Sequence, residues 1–289
     1  MEKENIPVWK LILKCILAIA LAFGLLFGVP LLAVMLWAMG LDAKHEKMET
    51  QVQELAAAYI AEQYPGNDFE ITDLYHNFKD NSFDVKVQSR SSADTHFTVK
   101  FADDTLEVDY DSYDFDVTNR GNTAARIEDD YHARASAVLE TLPGIDLVLA
   151  DILQYGSDSS VSAFLYAVGL DRRTLELDGQ YDAAEMGWDH GELVVWFVEK
   201  DEDLNIQRLL ERLWQVDDAM TRAGVGYRVV EIRLVNAPDR NSTKDFYIYD
   251  ILREDLESDD PLAVLQALWE KQEAKRQDLK EQWAQSDRN

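Results

Sequence analysis

Cysteine is almost absent. Of 289 residues only Cys15 carries a thiol, and it lies in an apolar stretch near the N-terminus. The rest of the chain can therefore form no disulfide and offer no thiolate nucleophile or ligand. Histidine is also scarce. His45, His76, His96, His132 and His190 include no two that lie three or four apart, which removes the usual zinc-site spacings. No glycine-rich phosphate loop, dinucleotide fingerprint, Gly-x-Ser-x-Gly elbow or Ser-x-x-Lys pair occurs. The signatures of nucleotide binding and of serine nucleophiles are thus missing, and no cofactor is expected. Positive charge is short as well: 28 Lys and Arg stand against 55 Asp and Glu, for a formal net charge of -27. Such a surface repels phosphate polymers, so nucleic acid is excluded as a partner. The charge reads as a means of solubility, the alternative being attraction of cations or basic partners.

What the chain does have is a long apolar run. Cys15 to Met39 contains no charged residue, and a helix of that length exceeds the ~30 Å hydrocarbon core of a bilayer. Residues 1–44 are therefore expected to form an N-terminal tail and a single-pass transmembrane anchor, with the lipid bilayer as a partner. Trp9 and Trp37 lie near its ends. Lys3, Lys10 and Lys14 precede the run and Lys44 and Lys47 follow it. This bias predicts a cytoplasmic N-terminus, an extracellular C-terminal bulk and a cell-membrane location. Ala38-Met39-Gly40 also fits a small-x-small cleavage site, so removal as a signal peptide is the alternative.

Beyond the run, aromatic residues at 10% and apolar residues at 47% support packed cores. Val52, Leu55, Ala56, Tyr59 and Ile60 recur at helical spacing, and Pro65-Gly66 stops the helix. The period then becomes two in Phe83-Val85-Val87, Phe97-Val99-Phe101 and Leu106-Val108-Tyr110, with Phe69 to Phe78 a further strand. Tyr113, Phe115 and Val117 continue an alternation after a turn or bulge. Residues 45–119 thus read as a helix plus antiparallel sheet domain, and 120–158 as a helical linker. Residues 159–256 read as a second α+β domain, with strands at Val161–Val168, Thr174–Leu177, Glu192–Glu199, Tyr227–Val235 and Phe246–Leu252. There Asp203 is placed to cap a helix carrying Ile206, Leu209, Leu213 and Met220. Residues 257–289 form a C-terminal helix and tail opened by Asp260-Pro261. The expected fold class is α+β: an N-terminal transmembrane helix, two small mixed α/β domains with largely antiparallel sheets, and a C-terminal helix.

Two side-chain groupings invite chemistry. Asp109, Asp111, Asp114 and Asp116 are candidate calcium ligands, although the glycine and distal glutamate of a helix-loop-helix site are missing. Their alternation fits the solvated face of a strand equally well. Glu185, Asp189 and His190 set carboxylates beside an imidazole and are candidates for acid–base catalysis. A polar helix-and-turn connection accounts for them too. The aromatics Tyr110, Tyr113 and Phe115, and Phe246, Tyr247 and Tyr249, read as strand cores, or on a second face as a ligand- or peptide-binding surface.

Between Tyr64-Pro65-Gly66 and Phe101 the order of motifs is specific. It runs Phe69-Glu70-Ile71, Tyr75-His76-Asn77-Phe78-Lys79, the strand Phe83 to Val87, then Asp94-Thr95-His96-Phe97. This stretch resembles the YfjL-like group of bacterial proteins, best over Glu49 to Val117 and more weakly over Leu170 to Leu252. The resemblance implies an N-terminal membrane segment, two small mixed domains and a Gram-positive cell-envelope setting. It carries over no activity and no catalytic residue. The expected role is a membrane-anchored binding or accessory interaction module at the cell envelope, meeting an envelope protein or peptide. The alternatives are an extracytoplasmic carboxylate-based hydrolase and a structural assembly component that packs through Pro261 to Trp283.

Overall fold

Alternating apolar residues build two separate sheets, each with its own core. The computed structural model describes residues 47–152, 169–200, 203–236 and 245–286. By contacts the chain divides into two compact units, Met1–Ser91 with Phe97–Ser112, and Ser92–His96 with Tyr113–Asn289.

The first unit opens with helix α1 (residues 47–63). Val52, Ala56 and Ile60, each one turn apart, form its buried stripe. Tyr64 still bonds back to the Ile60 carbonyl at 2.9 Å. Gly66 then takes a left-handed backbone, φ +82°, where a side chain would be strained. Strands β1 (Phe69–Asn77), β2 (Ser82–Ser89), β3 (His96–Ala102) and β4 (Val108–Asp111) follow as a meander in sequence order. Phe83, Val85 and Val87 of β2 and Phe97, Val99 and Phe101 of β3 are all buried. Each such side chain contributes ~1.5–3 kcal/mol relative to exposure.

From Tyr113 the second unit continues with a π-helical turn at Asp114–Thr118 and helix α2 (Gly121–Leu139). Strand β5 (Ile145–Ile152) comes next, then a 3-10 turn at Arg172–Thr174, helix α3 (Ala183–His190), strand β6 (Gly191–Glu199) and helix α4 (Ile206–Ala223). Strands β7 (Val229–Asn236) and β8 (Asp245–Leu252), the single turn α5 (Arg253–Leu256) and helix α6 (Pro261–Ser286) complete it. The sheet order is β5-β6-β7-β8. The outer pairs are antiparallel, whereas β6 and β7 run parallel. Parallel neighbours need a long crossover, and α4 supplies it. One face of the sheet buries Leu193, Val195, Phe197, Val230, Ile232 and Leu234 in the unit's core. That core also takes in Ile127, Tyr131 and Leu139 of α2 and Leu209, Leu213 and Met220 of α4.

Two polar devices secure this core. Arg212 and Glu199 are both buried, and the guanidinium Nε donates to Glu199 Oε1 at 2.5 Å. Arg208 reaches the same oxygen at 3.0 Å, and Arg212 Nη1 donates to the Pro143 carbonyl at 2.9 Å. At the other end, α6 places Gln272 against β8. Its side-chain amide donates to the Tyr249 carbonyl at 2.7 Å and accepts from the Tyr249 N–H at 3.3 Å.

The fold class expected from the sequence is corrected in one respect. Among the described residues no helix is long and apolar enough to cross a membrane. The longest, α6, has the length, but Glu270, Lys271, Glu273, Lys275, Arg276, Asp278, Lys280 and Glu281 make its second half highly charged. What is described is an α+β protein with one antiparallel and one mixed sheet, and the assignment as a single-pass membrane protein is withdrawn. The run Cys15 to Met39 lies outside the described residues, as does Val161–Val168. Three local expectations also change. The alternation at Tyr113, Phe115 and Val117 forms the π-helical turn rather than a strand. Thr174 ends the 3-10 turn, and the residues on to Leu177 form no strand. Asn205, not Asp203, caps α4 by accepting from the Arg208 N–H at 2.9 Å.

Candidate functional site

On the second sheet, alternation that sends Leu193, Val195 and Phe197 into the core sends Glu192, Val194, Trp196 and Val198 to the opposite, half-buried face. Neighbouring strands add carboxylates there. Asp151 of β5 is the direct cross-strand partner of Glu192. Glu231 of β7 is paired with Val194, which places it diagonal to Glu192. On β8 the register shifts, so that Tyr249 and Asp250 together oppose Glu231. Two residues against one is a bulge, and Asp250 sits in it with a left-handed backbone, φ +56°. Four adjacent strands thus present Asp151, Glu192, Glu231 and Asp250 in one row.

Like charges directly across a ladder repel, and half-burial reduces the screening that water would give. The ionisation of the row reflects this. Burial first, then the carboxylates of Asp151, Asp250 and Glu231, push Glu192 up to about 7. Burial also raises Glu231, against the pull of Arg233, and raises Asp250, against Lys275 and Lys271. Glu192 has no hydrogen-bond or ion-pair partner among the described residues. Glu199, at the far end of the same strand, has two arginines. The next positions along the face are aromatic and cationic. The Arg233 guanidinium pairs with Asp245 and lies 4.6 Å from the Trp196 ring centroid. Arg276 lies 4.3 Å from that of Tyr247. The row can hold positive charge brought by a partner, or a proton.

The candidates read from the sequence lie elsewhere. Glu185, Asp189 and His190 all fall on α3. Glu185 and Asp189, one turn apart, are exposed, and His190 is half-buried at the helix end. Asp182 caps this helix by accepting from the Ala184 N–H at 3.1 Å. Asp109 and Asp111 lie on β4 of the first unit, Asp114 and Asp116 in the π-helical turn of the second. Asp111 Oδ2 accepts the hydroxyls of Tyr59 and Tyr64 at 2.9 and 2.7 Å. Burial, with that carboxylate, pushes the Tyr59 hydroxyl up to about 12. Among the described residues no group of three or more His, Cys, Asp or Glu is arranged to hold a metal ion. Of the aromatics, Tyr110 and Phe115 are largely exposed, and Phe246 stacks on Trp269 with centroids 5.5 Å apart.

Two further arrangements gave no local sequence signal. Arg126 of α2 binds Asp94 through Nε and Nη2 at 2.8 and 2.9 Å and donates to the Gly179 carbonyl at 2.8 Å. This hydrogen-bonded guanidinium holds Asp94 below the usual carboxylate range. In the first unit, Gln51, Glu54, Leu55 and Leu106 line an open concavity of about 270 Å³, with no titratable cluster in it. Both depend on residues far apart in the chain, whereas the carboxylate row could have been glimpsed from Glu192 and Glu231 standing inside otherwise apolar strands, a residue type depleted there.

No curated protein matches the chain. The crystal structure of a DUF5037 family protein from Ruminococcus gnavus is similar at 11% identity, over 77% of this chain and 98% of that one. Its TM-score of 0.22 is too low to carry an argument about fold or function. The sequence match is more local: residues 47–112, the helix and four-stranded meander of the first unit, match the family described as YfjL-like, N-terminal domain.

Proposed function

We propose that the chain is a binding or accessory interaction module whose partner, a protein or peptide, brings positive charge to the second sheet. One observation carries this reading: the row Asp151, Glu192, Glu231 and Asp250 concentrates carboxylates on one face where, among the described residues, Glu192 has no cationic neighbour of its own. A lysine or arginine placed against it would relieve repulsion that already exists, so binding recovers energy the free protein lacks. Trp196 and Val194 beside the row add apolar contact area. The formal charge of -27 speeds encounter with such a partner.

The test is a calorimetric titration of the full chain with a lysine-rich peptide, and with a glutamate-rich peptide of equal length, at low and high ionic strength. The triple variant E192Q, E231Q, D250N should bind the basic peptide roughly tenfold or more weakly. E185Q with D189N, which removes two exposed charges from α3, should bind as the wild type does. Equal weakening in both variants, no weakening in the row variant, or no binding at all would each reject the proposal.

A further inference from the structure

The same four strands support a conclusion that needs no partner. The geometry is a strand-by-strand meeting of acids. Asp151 stands directly opposite Glu192, Glu231 is diagonal to Glu192, and the bulge brings Asp250 opposite Glu231. No cation on β5 or β6 answers them among the described residues. The basic groups that bear on the row come from its far side. Arg233 of β7 acts on Glu231, but is itself paired with Asp245 and held between Trp196 and Tyr247. Lys271 and Lys275 of α6 act on Asp250. From the core side α2 contributes Tyr131, a neutral hydroxyl that donates to the Gly226 carbonyl at 2.9 Å and whose ionisation is opposed by burial first, then by Asp151 and Glu192. The centre of the row at Glu192 is therefore where added negative charge costs most and where a proton relieves most.

We infer that this carboxylate row makes the second unit a pH-responsive element, firmer in mild acid than in mild base, with Glu192 as the responding residue. The direction follows from linkage. Glu192 is raised in the folded protein from 4.5 to about 7. Its favourable contribution is then fully present below the unfolded value and is lost as pH rises through the folded value. Glu231 and Asp250 are raised too and act in the same sense. Asp94, held low by Arg126, acts in the opposite sense, but its contribution fails only as pH falls through its own depressed value, well below this window. Between mild acid and mild base the Glu192 response is therefore the one to read.

The experiment is urea unfolding of the full chain at about pH 5.5 and about pH 8, for wild type and for E192Q, a nearly isosteric change. The wild-type midpoint should be higher at the acid pH. E192Q should lose more than half of that difference and should exceed wild type at about pH 8. Subtracting the variant's response from the wild type's removes the share of every other titrating group. D250N is the second variant. Asparagine tolerates the left-handed backbone at this position, so the fold is kept while one facing charge is removed. It should move the wild-type transition to lower pH. The carboxyl carbon shift of Glu192 in labelled wild type gives a direct reading that depends on neither variant. A midpoint in the ordinary glutamate range, or an E192Q response equal to that of wild type, would overturn the inference. Peptide binding is absent from these measurements, so failure of the partner proposal leaves this one standing, and the reverse.

Discussion

Arg212 and Glu199 show how much rests on a single pair. Both are buried, at 6% and 7% exposure, and two charges at that depth are tolerable only while each satisfies the other. R212M should therefore destabilise the protein by about 3–5 kcal/mol, because it leaves the Glu199 carboxylate desolvated with only Arg208 to answer it. Adding E199L should restore a large part of that loss, since a well-packed apolar pair of similar volume avoids the desolvation cost. Urea midpoints of the single and double variants check both limbs, and equal destabilisation in the two would contradict the account. Glu192 is the counterexample on the same strand. Among the described residues it is a carboxylate held without such a partner, and the proposals above rest on that contrast.

At the scale of elements, α3 approaches the segment after α4 closely. A Cβ on Gly187 would stand 2.2 Å from the Gly226 carbonyl oxygen, and one on Gly226 would stand 2.3 Å from the Trp188 nitrogen. The Gly226 N–H donates to the Ala184 carbonyl at 2.9 Å, so the two backbones are bonded as well as close. G187A should cost about 1–3 kcal/mol through forced separation, despite alanine's better helix propensity. A G187A midpoint at or above that of wild type would show that the helix can move aside. Strand β6 was legible in the sequence as a nearly continuous apolar run, and β2 and β3 because their apolar residues alternate with polar ones. The same rule misled at Phe115 and Val117, where a single helical turn happens to expose one and bury the other. It was silent on Asp151 and Asp250, which join Glu192 and Glu231 only through register and a bulge. Glu185, Asp189 and His190 stood out because they lie close in sequence, yet the helix turns His190 away from the exposed side that Glu185 and Asp189 share.

For the whole molecule the dominant quantity is charge. At -27 the folded chain repels itself, and the repulsion is long-ranged at low salt. Raising sodium chloride from about 0.01 M to about 1 M shortens the screening length from ~30 Å to ~3 Å. The melting temperature should rise, by about 2–4 °C for each kcal/mol of repulsion relieved. Buried pairs such as Arg212 with Glu199 are little affected, so a melting temperature that falls with salt would mean that exposed ion pairs outweigh the net charge. The match of residues 47–112 to the YfjL-like N-terminal domain concerns the first unit. The carboxylate row belongs to the second, so whatever the row does is not inherited from that likeness.

Gln272 has a consequence for association. A strand at the border of a sheet ordinarily offers its outward N–H and C=O groups as a template on which a stray extended chain can align. At Tyr249 both groups are already occupied by one side-chain amide, and α6 lies alongside. Growth of the sheet past β8 is blocked at that point by a glutamine that mimics the next strand, a safeguard against fibril-like stacking built from a single residue.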